Sequence, residues 1–406
     1  MGAVMSRRTM TPRLPRLAAA LLAAVVAPAT ACAQNATFTG IGFLNQESRG
    51  SWVYGLSADG STPVGDSRYS DGLGGFQAMR WRAETGIEGL GLLSDTARNS
   101  TAFGASTNGG VIVGAGNSDP GWQAFRWTES GGMVGLGDLP GGDFWSQAKA
   151  VSGDGSIVVG SSRGGGASNG LAEAFRWTEQ TGMVGLGFLP GGSYKSSSAS
   201  GISDDGKVIV GGSNSAEGGR AFRWSEETGM VSLGTLPDGF GSGATAISPN
   251  GHFVVGQSAV KESNGNFTRA FIWSEDAGMT ALPNLPVDYL GLVSRVADVA
   301  DDGTAVGSTD VVYHDYSGRT YATVWLAGKE AVTIEALLLD YGIDVLAMGW
   351  QLEFAYGVSA DGRTIAGHGL SPNGFYEGWI AHIPIPTPHS LAIFALAVVF
   401  GPRRSR

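Results

Sequence analysis

One pattern is written seven times along this chain, and no other feature limits its fold as tightly. The clearest copy runs from Ala150 to Gly192. It reads AVSGDGSIVVGSS, then a Gly/Ser/Asn-rich stretch, then EAFRWTEQTGMVGLGFLPGG. Its S-x-[DN]-G core recurs at Ser57, Ser106, Ser152, Ser203, Ser248 and Ser359, and Ala300 replaces the serine in the sixth copy. Its A-[FM]-R-W core carries Trp81, Trp127, Trp177 and Trp224. Weaker versions carry Trp273 and Trp325, and the last reads Gly378-Trp379-Ile380. Successive tryptophans from Trp81 to Trp325 stand 46, 50, 47, 49 and 52 residues apart. A period of this length describes supersecondary units that bury their apolar faces only by stacking on one another.

Within a unit the alternation is that of strands, not helices. In the third unit Ala148, Ala150 and Ser152 alternate with Lys149 and Val151 on a first strand. Asp154-Gly155 is a hairpin signal, because tight two-residue turns need residues that accept positive φ. Ile157-Val158-Val159 reads as a second strand, Ala174 to Trp177 as a third, and Met183 to Leu189 as a fourth that Pro190-Gly191-Gly192 ends. Four short antiparallel strands in each of seven units, with no helix, predict an all-β seven-bladed β-propeller over residues 34–383. Gly40 to Leu44 matches a fourth strand and Trp379 to Ile383 a third. Blade 7 is therefore expected to combine residues 353–383 with 38–44, so that the N-terminal strand closes the ring and hides open edges. Small residues at the start of each first strand (Ser51, Ser100, Ser146, Ser197, Ser242, Ser294, with Glu353 in the seventh copy) fit crowding near an axis. The tryptophans Trp81 to Trp325 fill the wider space further out.

The composition supports this reading and narrows the function. Apolar residues make up 42% of the chain, enough to exclude disorder, and 66 glycines suit a protein of many tight turns. The first 33 residues hold four Arg and no acid, and the last 20 hold three Arg and no acid. The remainder carries 19 basic and 36 acidic residues, a net charge of −17. So acidic a body is not built for nucleic acid. The single cysteine, Cys32, falls in a segment expected to be removed, so stability must come from packing.

Both ends read as addresses. Arg7, Arg8, Arg13 and Arg16 precede an apolar run at 17–27 and an A-x-A site at Ala31-Cys32-Ala33. This is the order of a secretory signal peptide over residues 1–33, with cleavage leaving Gln34 first. Lipidation at Cys32 and a twin-arginine signal at Arg7-Arg8 are the alternatives. The residues before Cys32 lack a larger aliphatic, and no strongly apolar pair closely follows Arg7-Arg8. At the other end Pro384, Pro386, Thr387 and Pro388 lead into an apolar run at 391–400 and the cluster Arg403, Arg404, Arg406. This tail, residues 384–406, resembles the PEP-CTERM sorting signal of exosortase systems, with Thr387 where that family carries Glu. The resemblance implies a sorting machinery of exosortase type as partner. It also implies transient inner-membrane contact through the C-terminal helix, and secretion to the cell surface or extracellular matrix. A plain tail anchor is the alternative, and the run is short for a full span.

The AFRW, GMVGLG-LPGG and VSxDG-VVG motifs, over roughly residues 38–383, resemble the HAF repeat of probable extracellular bacterial proteins. Where that family carries His, this chain has Gln77, Gln123, Glu173, Arg220 and Arg269. The resemblance implies an exported repeat protein and brings no catalytic residues. The sequence adds none of its own. The five histidines show no metal-ligand spacing, and there is no G-x-S-x-G elbow and no phosphate loop. Asp-Gly pairs such as Asp204-Asp205-Gly206 read as plain turns, not as calcium loops. No cofactor and no metal site is expected.

The variable loops between strands four and one, and between two and three, share one face, where function usually sits on a rigid scaffold. They carry Trp52, Phe144, Trp145, Tyr194, Phe240 and Tyr289, with Tyr69, Trp122, Phe267, Tyr313, Tyr316 and Tyr376. Glu353 is expected near the channel mouth. These aromatics suit sugar stacking or protein contact. The expectation is a non-enzymatic surface protein that binds a glycan or a surface protein. The alternative is a propeller enzyme acting on polysaccharide, a glycosidase or lyase, with acids at the channel mouth.

Overall fold

The computed structural model describes residues 36–384, apart from positions 48, 70–73, 165, 168, 169, 263, 264 and 328. The signal-peptide site (Ala31, Ala33, Gln34) and the sorting motif (Pro386, Thr387, Pro388, Arg403, Arg404) lie outside the described residues. The strands pair into seven separate four-stranded antiparallel sheets. Blade 3 shows the unit: Ser146–Val151, Ile157–Arg163, Ala172–Thr178 and Gly182–Gly185 pair in that order. The other first strands are Ser51–Leu56, Ser100–Ala105, Ser197–Ile202, Gly239–Ile247, Gly291–Val299 and Gln351–Val358. The protein is a seven-bladed β-propeller.

The ring closes as the repeats demand, with a shift of a few residues. The strand that completes blade 7 is Thr37–Gly40, paired to Tyr376–His382 from Thr37↔His382 to Gly40↔Trp379. Residues 41–44, expected inside that strand, lead away from it. Fourth strands are four residues long throughout; in blades 7 and 1 to 4 a glycine two residues on turns the chain (Gly42, Gly137 and Gly187 have φ near +78°), whereas Pro283 follows in blade 5 and a helix in blade 6. The Ile41 N–H still reaches the Gly378 carbonyl (2.9 Å), as the Leu136 N–H reaches Ala124 in blade 2 (2.9 Å).

The small residues of the first strand serve a different purpose from the one expected. In blades 1 to 5 the serine joins its blade to the preceding one. Ser146 Oγ accepts from the Ala124 N–H (2.9 Å) and donates to the Gly137 carbonyl (2.5 Å). Ser51, Ser100, Ser197 and Ser242 repeat the pair of bonds, and Ser51 makes it across the ring closure, to Gly378 and Gly42. A larger side chain has no room there, since the serines of blades 1 to 4 are all but inaccessible. In blade 7 the position belongs to Leu352, not Glu353. A bulge between Leu352 and Phe354 makes Glu353 an extra residue and shifts the register by one. The Ser294 oxygen, in blade 6, is buried without a partner.

The expected simple alternation of the first strand also fails, for one reason in all seven blades. A bulge interrupts it after the Val or Ala that follows the serine position. The bulge drives a carbonyl into the second strand, and that is why the VVG motif ends in glycine. A Cβ on Gly160 would sit 2.0 Å from the Gln147 carbonyl, and Gly65, Gly114, Gly211, Gly256, Gly307 and Gly367 meet the same obstacle at 1.8–2.1 Å.

Between blades, the Phe of the A-F-R-W motif is the deeper core residue: Phe125, Phe175, Phe222 and Phe271 are inaccessible. Trp127 and Trp325 are buried too, whereas Trp81, Trp177, Trp224 and Trp273 pack half-buried against the same clusters. The repeat pattern aligns Trp379 with these tryptophans. Its pairing with Gly367 and Gly40 puts it at the Phe position, and Ala381 takes the Trp position.

The expectation of no helix is corrected by Ile334–Asp340, between blades 6 and 7. This stretch lacks the GLGxLPGG ending. It places Ile334, Leu337 and Leu338 on one helical face, and these residues are buried. Thr333 caps it, accepting from the Ala336 N–H (3.2 Å).

Candidate functional site

The seven first strands line a central channel of about 550 Å³, a size that suits small-molecule sites. Its two ends are built differently. One end is formed by the S-x-[DN]-G turns. In each, the Asp or Asn at the third position is held by its own turn: Asp154 Oδ1 accepts from Ser152 Oγ (2.7 Å) and from the Ser156 N–H (2.9 Å). These bonds pull the Asp154 pKa below the usual carboxylate range. The next residue has positive φ in every turn (Gly155 +76°), which accounts for the glycine. The turns then bond to one another around the ring. Thr107 N–H donates to Gly153 (3.1 Å), Gly153 to Asp204 (3.0 Å), Asp204 to Pro249 (2.9 Å), Asp301 to Ala360 (3.0 Å) and Ala360 to Ala58 (2.7 Å). Asp59 N–H closes the link to Thr107 (3.0 Å). Pro249 has no N–H to give. Asn250 donates in its place, from the backbone to Asp301 Oδ1 (2.8 Å) and from Nδ2 to the Asp301 carbonyl (3.2 Å). The result is a closed collar. Thr107 Oγ1 reaches over Gly153 to Asp204 Oδ2 (2.7 Å) and narrows it further.

Above the collar, the bulged residue of each first strand forms a ring around the channel: Tyr54, Phe103, Lys149, Ser200, Thr245, Ala297 and Tyr356. The ring is lopsided. In blades 7, 1 and 2 it is a continuous aromatic arc. Phe354 stacks on Tyr356 (5.9 Å between centroids, 26°), Tyr356 meets Tyr54 edge-on (5.7 Å, 78°), and Tyr54 meets Phe103 (6.0 Å, 43°). The arc ends at Lys149, whose Nζ sits 4.0 Å from the centre of the Phe103 ring. Such contacts contribute about 0.5–1.5 kcal/mol each beyond area burial. The opposite sector is small and polar. Thr245 and Gln257 both donate to the Val296 carbonyl (3.1 and 2.9 Å), and Arg295, half-exposed toward the loop face, is paired with Asp310.

Several titratable groups stand in or behind this wall. Burial holds the Tyr54 hydroxyl well above its ordinary pKa, and the nearby Asp66 adds to the effect. Asp66 is buried behind Tyr54. Thr101 donates to its Oδ2 (2.8 Å), its Oδ1 has no partner, and burial pushes its pKa up to about 7. Asp298 in the channel wall is likewise raised by burial to about 7, against the pull of the Val358 and Val299 amides it accepts (3.0 and 2.9 Å). His368 is buried among Tyr54, Phe354 and Tyr356, with Nδ1 3.3 Å from the Val53 carbonyl. Burial lowers its pKa to about 4, so it is neutral at physiological pH. Among the described residues no group of three or more His, Cys, Asp or Glu is placed to hold a metal. No helix among them is long and apolar enough to cross a membrane.

The residues expected to bind ligand divide between two places. Trp52 and Glu353 come together at the loop end of the aromatic sector. Trp52 stacks on Tyr376 (6.3 Å, 24°), and Tyr376 is hydrogen-bonded to Glu353. The others lie along the rim of blades 2 to 6. Phe144 and Trp145 are half-buried, with Arg163 over the Trp145 ring (5.4 Å). Tyr194 and Phe240 are half-exposed, and Tyr289 packs into a core cluster. Sequence reasoning did not single out Tyr54, Phe103, Lys149, Phe354 or Tyr356. The signal was present: the residue right after each S-x-[AV] step varies from Tyr to Lys to Ala inside an otherwise uniform frame.

No family model and no curated protein matches the chain. Solved structures do. TolB from Acinetobacter baumannii is 12% identical, with a TM-score of 0.42 over 66% of this chain and 61% of that one. A TolB-like protein from Agrobacterium tumefaciens is 13% identical, with a TM-score of 0.42 over 83% and 100%. Prolyl oligopeptidase B from Galerina marginata is 10% identical, with a TM-score of 0.36 over 69% and 42%. The chain thus spans less than two thirds of the length of the first and third of these. The likeness concerns the fold alone.

Proposed function

We propose that this chain is an exported, non-enzymatic binding propeller that takes a glycan at the loop end of its central channel. The observation that carries the reading is the aromatic arc from Phe354 to Phe103. It is a stacking surface held rigid by seven bonded blades and turned toward a cavity of about 550 Å³. Flat aromatic faces suit the C–H faces of sugar rings. Export rests on the two ends of the sequence. Cleavage of the signal peptide would remove residues 1–33, and the sorting tail would hand the protein to an exosortase-type machinery and on to the cell surface or matrix.

The test is a glycan array followed by calorimetry on wild type, Tyr54→Ala, Tyr356→Ala and the rim variant Phe240→Ala. The arc variants should each weaken binding by about tenfold or more, and Phe240→Ala should leave it unchanged. Binding lost at the rim and kept in the arc would return the site to the variable loops. The intact mass from envelope and medium fractions of the native host tests export: a species beginning at Gln34 and ending near Pro388 is expected.

A second reading is a polysaccharide-acting enzyme. Asp298 favours it, because a channel carboxyl with a pKa of about 7 lies in the range of a general acid. Turnover of a glycan that disappears in Asp298→Asn or Glu353→Gln would establish it in place of the first.

A further inference from the structure

The aromatic arc ends on a cation. Lys149 leaves the bulge of blade 3 with its Nζ over the Phe103 ring (4.0 Å). It lines the same cavity as Tyr54 and Tyr356 and is half-buried there. Among the described residues no carboxylate forms an ion pair with it, and burial lowers its pKa. The other charged groups of the channel are already engaged. Arg295 is paired with Asp310. Asp204 accepts from Thr107 (2.7 Å), and Asp298 accepts two backbone amides. An ammonium kept in a largely desolvated wall with only a ring face for company is costly, unless an anion comes to it. The chain is acidic overall, so an inward cation with no carboxylate partner among the described residues can draw a negatively charged ligand in against the general field.

We propose that the channel selects acidic glycans: a uronic-acid ring lies on the arc formed by Tyr356, Tyr54 and Phe103, and its carboxylate binds Lys149 Nζ. The proposal rests on the glycan reading of the channel and adds the ligand's charge. The two parts of the site have separate duties. The arc accepts any sugar face, and Lys149 discriminates for a carboxylate at the Phe103 end.

The experiment compares a trigalacturonate with its carboxyl-reduced, neutral counterpart by calorimetry, on wild type, Lys149→Met and Lys149→Arg. Wild type should bind the acidic sugar about tenfold or more tightly than the neutral one, the worth of one charge-assisted hydrogen bond. Lys149→Met should bind both alike, at the affinity of wild type for the neutral sugar. Lys149→Arg should keep part of the preference, which excludes a folding defect as the cause. If wild type binds both sugars equally, the carboxylate assignment is wrong and the glycan reading stands. A preference that survives in Lys149→Met would move the anion site elsewhere in the channel. If neither sugar binds, both readings fall together.

Discussion

The collar and the ring of bulged residues lie on the same seven strands, a few residues apart, yet they are made of different parts of the chain. The collar is backbone at six of its seven links, and side chains of Asn250 and Asp301 complete the seventh. Its linking residues are Ala58, Thr107, Gly153, Asp204, Pro249, Asp301 and Ala360, which share no chemistry. They make one seam because each supplies an amide or a carbonyl. The bulged ring is side chain. Tyr54, Phe103, Lys149, Ser200, Thr245, Ala297 and Tyr356 are as diverse, but here diversity is the property that matters, since it makes one sector aromatic and the other polar. The comparison teaches how a repeat can be regular and specific at once. Hydrogen bonds between main-chain groups hold six of the seven links whatever the side chains, which frees one position per blade to carry chemistry.

The sharpest way to break that arrangement is to attack the bulge rather than the residue on it. Gly160→Ala puts a methyl 2.0 Å from the Gln147 carbonyl, a backbone atom that cannot move aside without undoing the bulge. We expect a loss of about 3 kcal/mol, read as a lower denaturation midpoint. Gly212→Ala, also on a second strand, places its methyl where no atom lies within 4 Å. It should change stability by less than about 0.5 kcal/mol. Equal effects would mean that the glycines reflect strand flexibility and not the bulge.

This contrast also marks where the sequence stops being legible. The repeat made the blades, their four strands, the hairpin turns and the ring closure readable, because each follows from period, alternation and turn chemistry. The VVG glycine was visible as a motif, but its cause was not. On its own strand a bulge shows only as one variable position, and its clearest mark is the missing Cβ on the neighbour. The same slip misplaced Glu353, which stands one residue off the serine position because blade 7 has a second bulge. It also hid the channel residues, since strict alternation grouped Lys149 with the buried Val151. The sequence points to the loop aromatics as the stacking residues. That Tyr54, Tyr356 and Phe103 form one surface depends on three blades meeting, which no local pattern records.

A smaller effect separates the two sides of the channel wall by pH. Asp66 behind the arc and Asp298 in the wall both have pKa values raised by burial to about 7. The folded protein therefore holds protons that the unfolded chain, with ordinary carboxyls near about 4, releases. Stability contributed by the protonated forms is complete at the acidic end of that window and is lost as pH rises toward 7. The melting temperature should be higher at pH 5 than at pH 8. Asp66→Asn keeps an acceptor for Thr101 and cannot ionise, so it should flatten the decline. An unchanged slope in Asp66→Asn would assign the pH dependence to Asp298 alone.

The smallest expected effect tests the collar at its one irregular link. Pro249 cannot donate, and Asn250 bridges to blade 6 instead. Asn250 also accepts from Ser248 Oγ (2.7 Å) and the His252 N–H (3.0 Å), as any turn Asp or Asn does here. Asn108 in blade 2 makes the same kind of turn bonds, to Ser106 (3.3 Å) and Gly110 (2.9 Å), while the link from its turn to blade 3 runs through the Thr107 amide. Replacing each by Ala therefore removes the turn bonds in both and a side-chain bond between blades in only one. Asn250→Ala should cost about 1 kcal/mol more than Asn108→Ala, measured by denaturant titration. If the two variants are equally stable, the Nδ2 bond adds nothing and the Asn250 backbone amide alone carries the seam past the proline. That outcome would leave the blade 5–6 link to one bond, from the Asn250 amide to the Asp301 carboxylate, the one place where the collar depends on a side-chain acceptor.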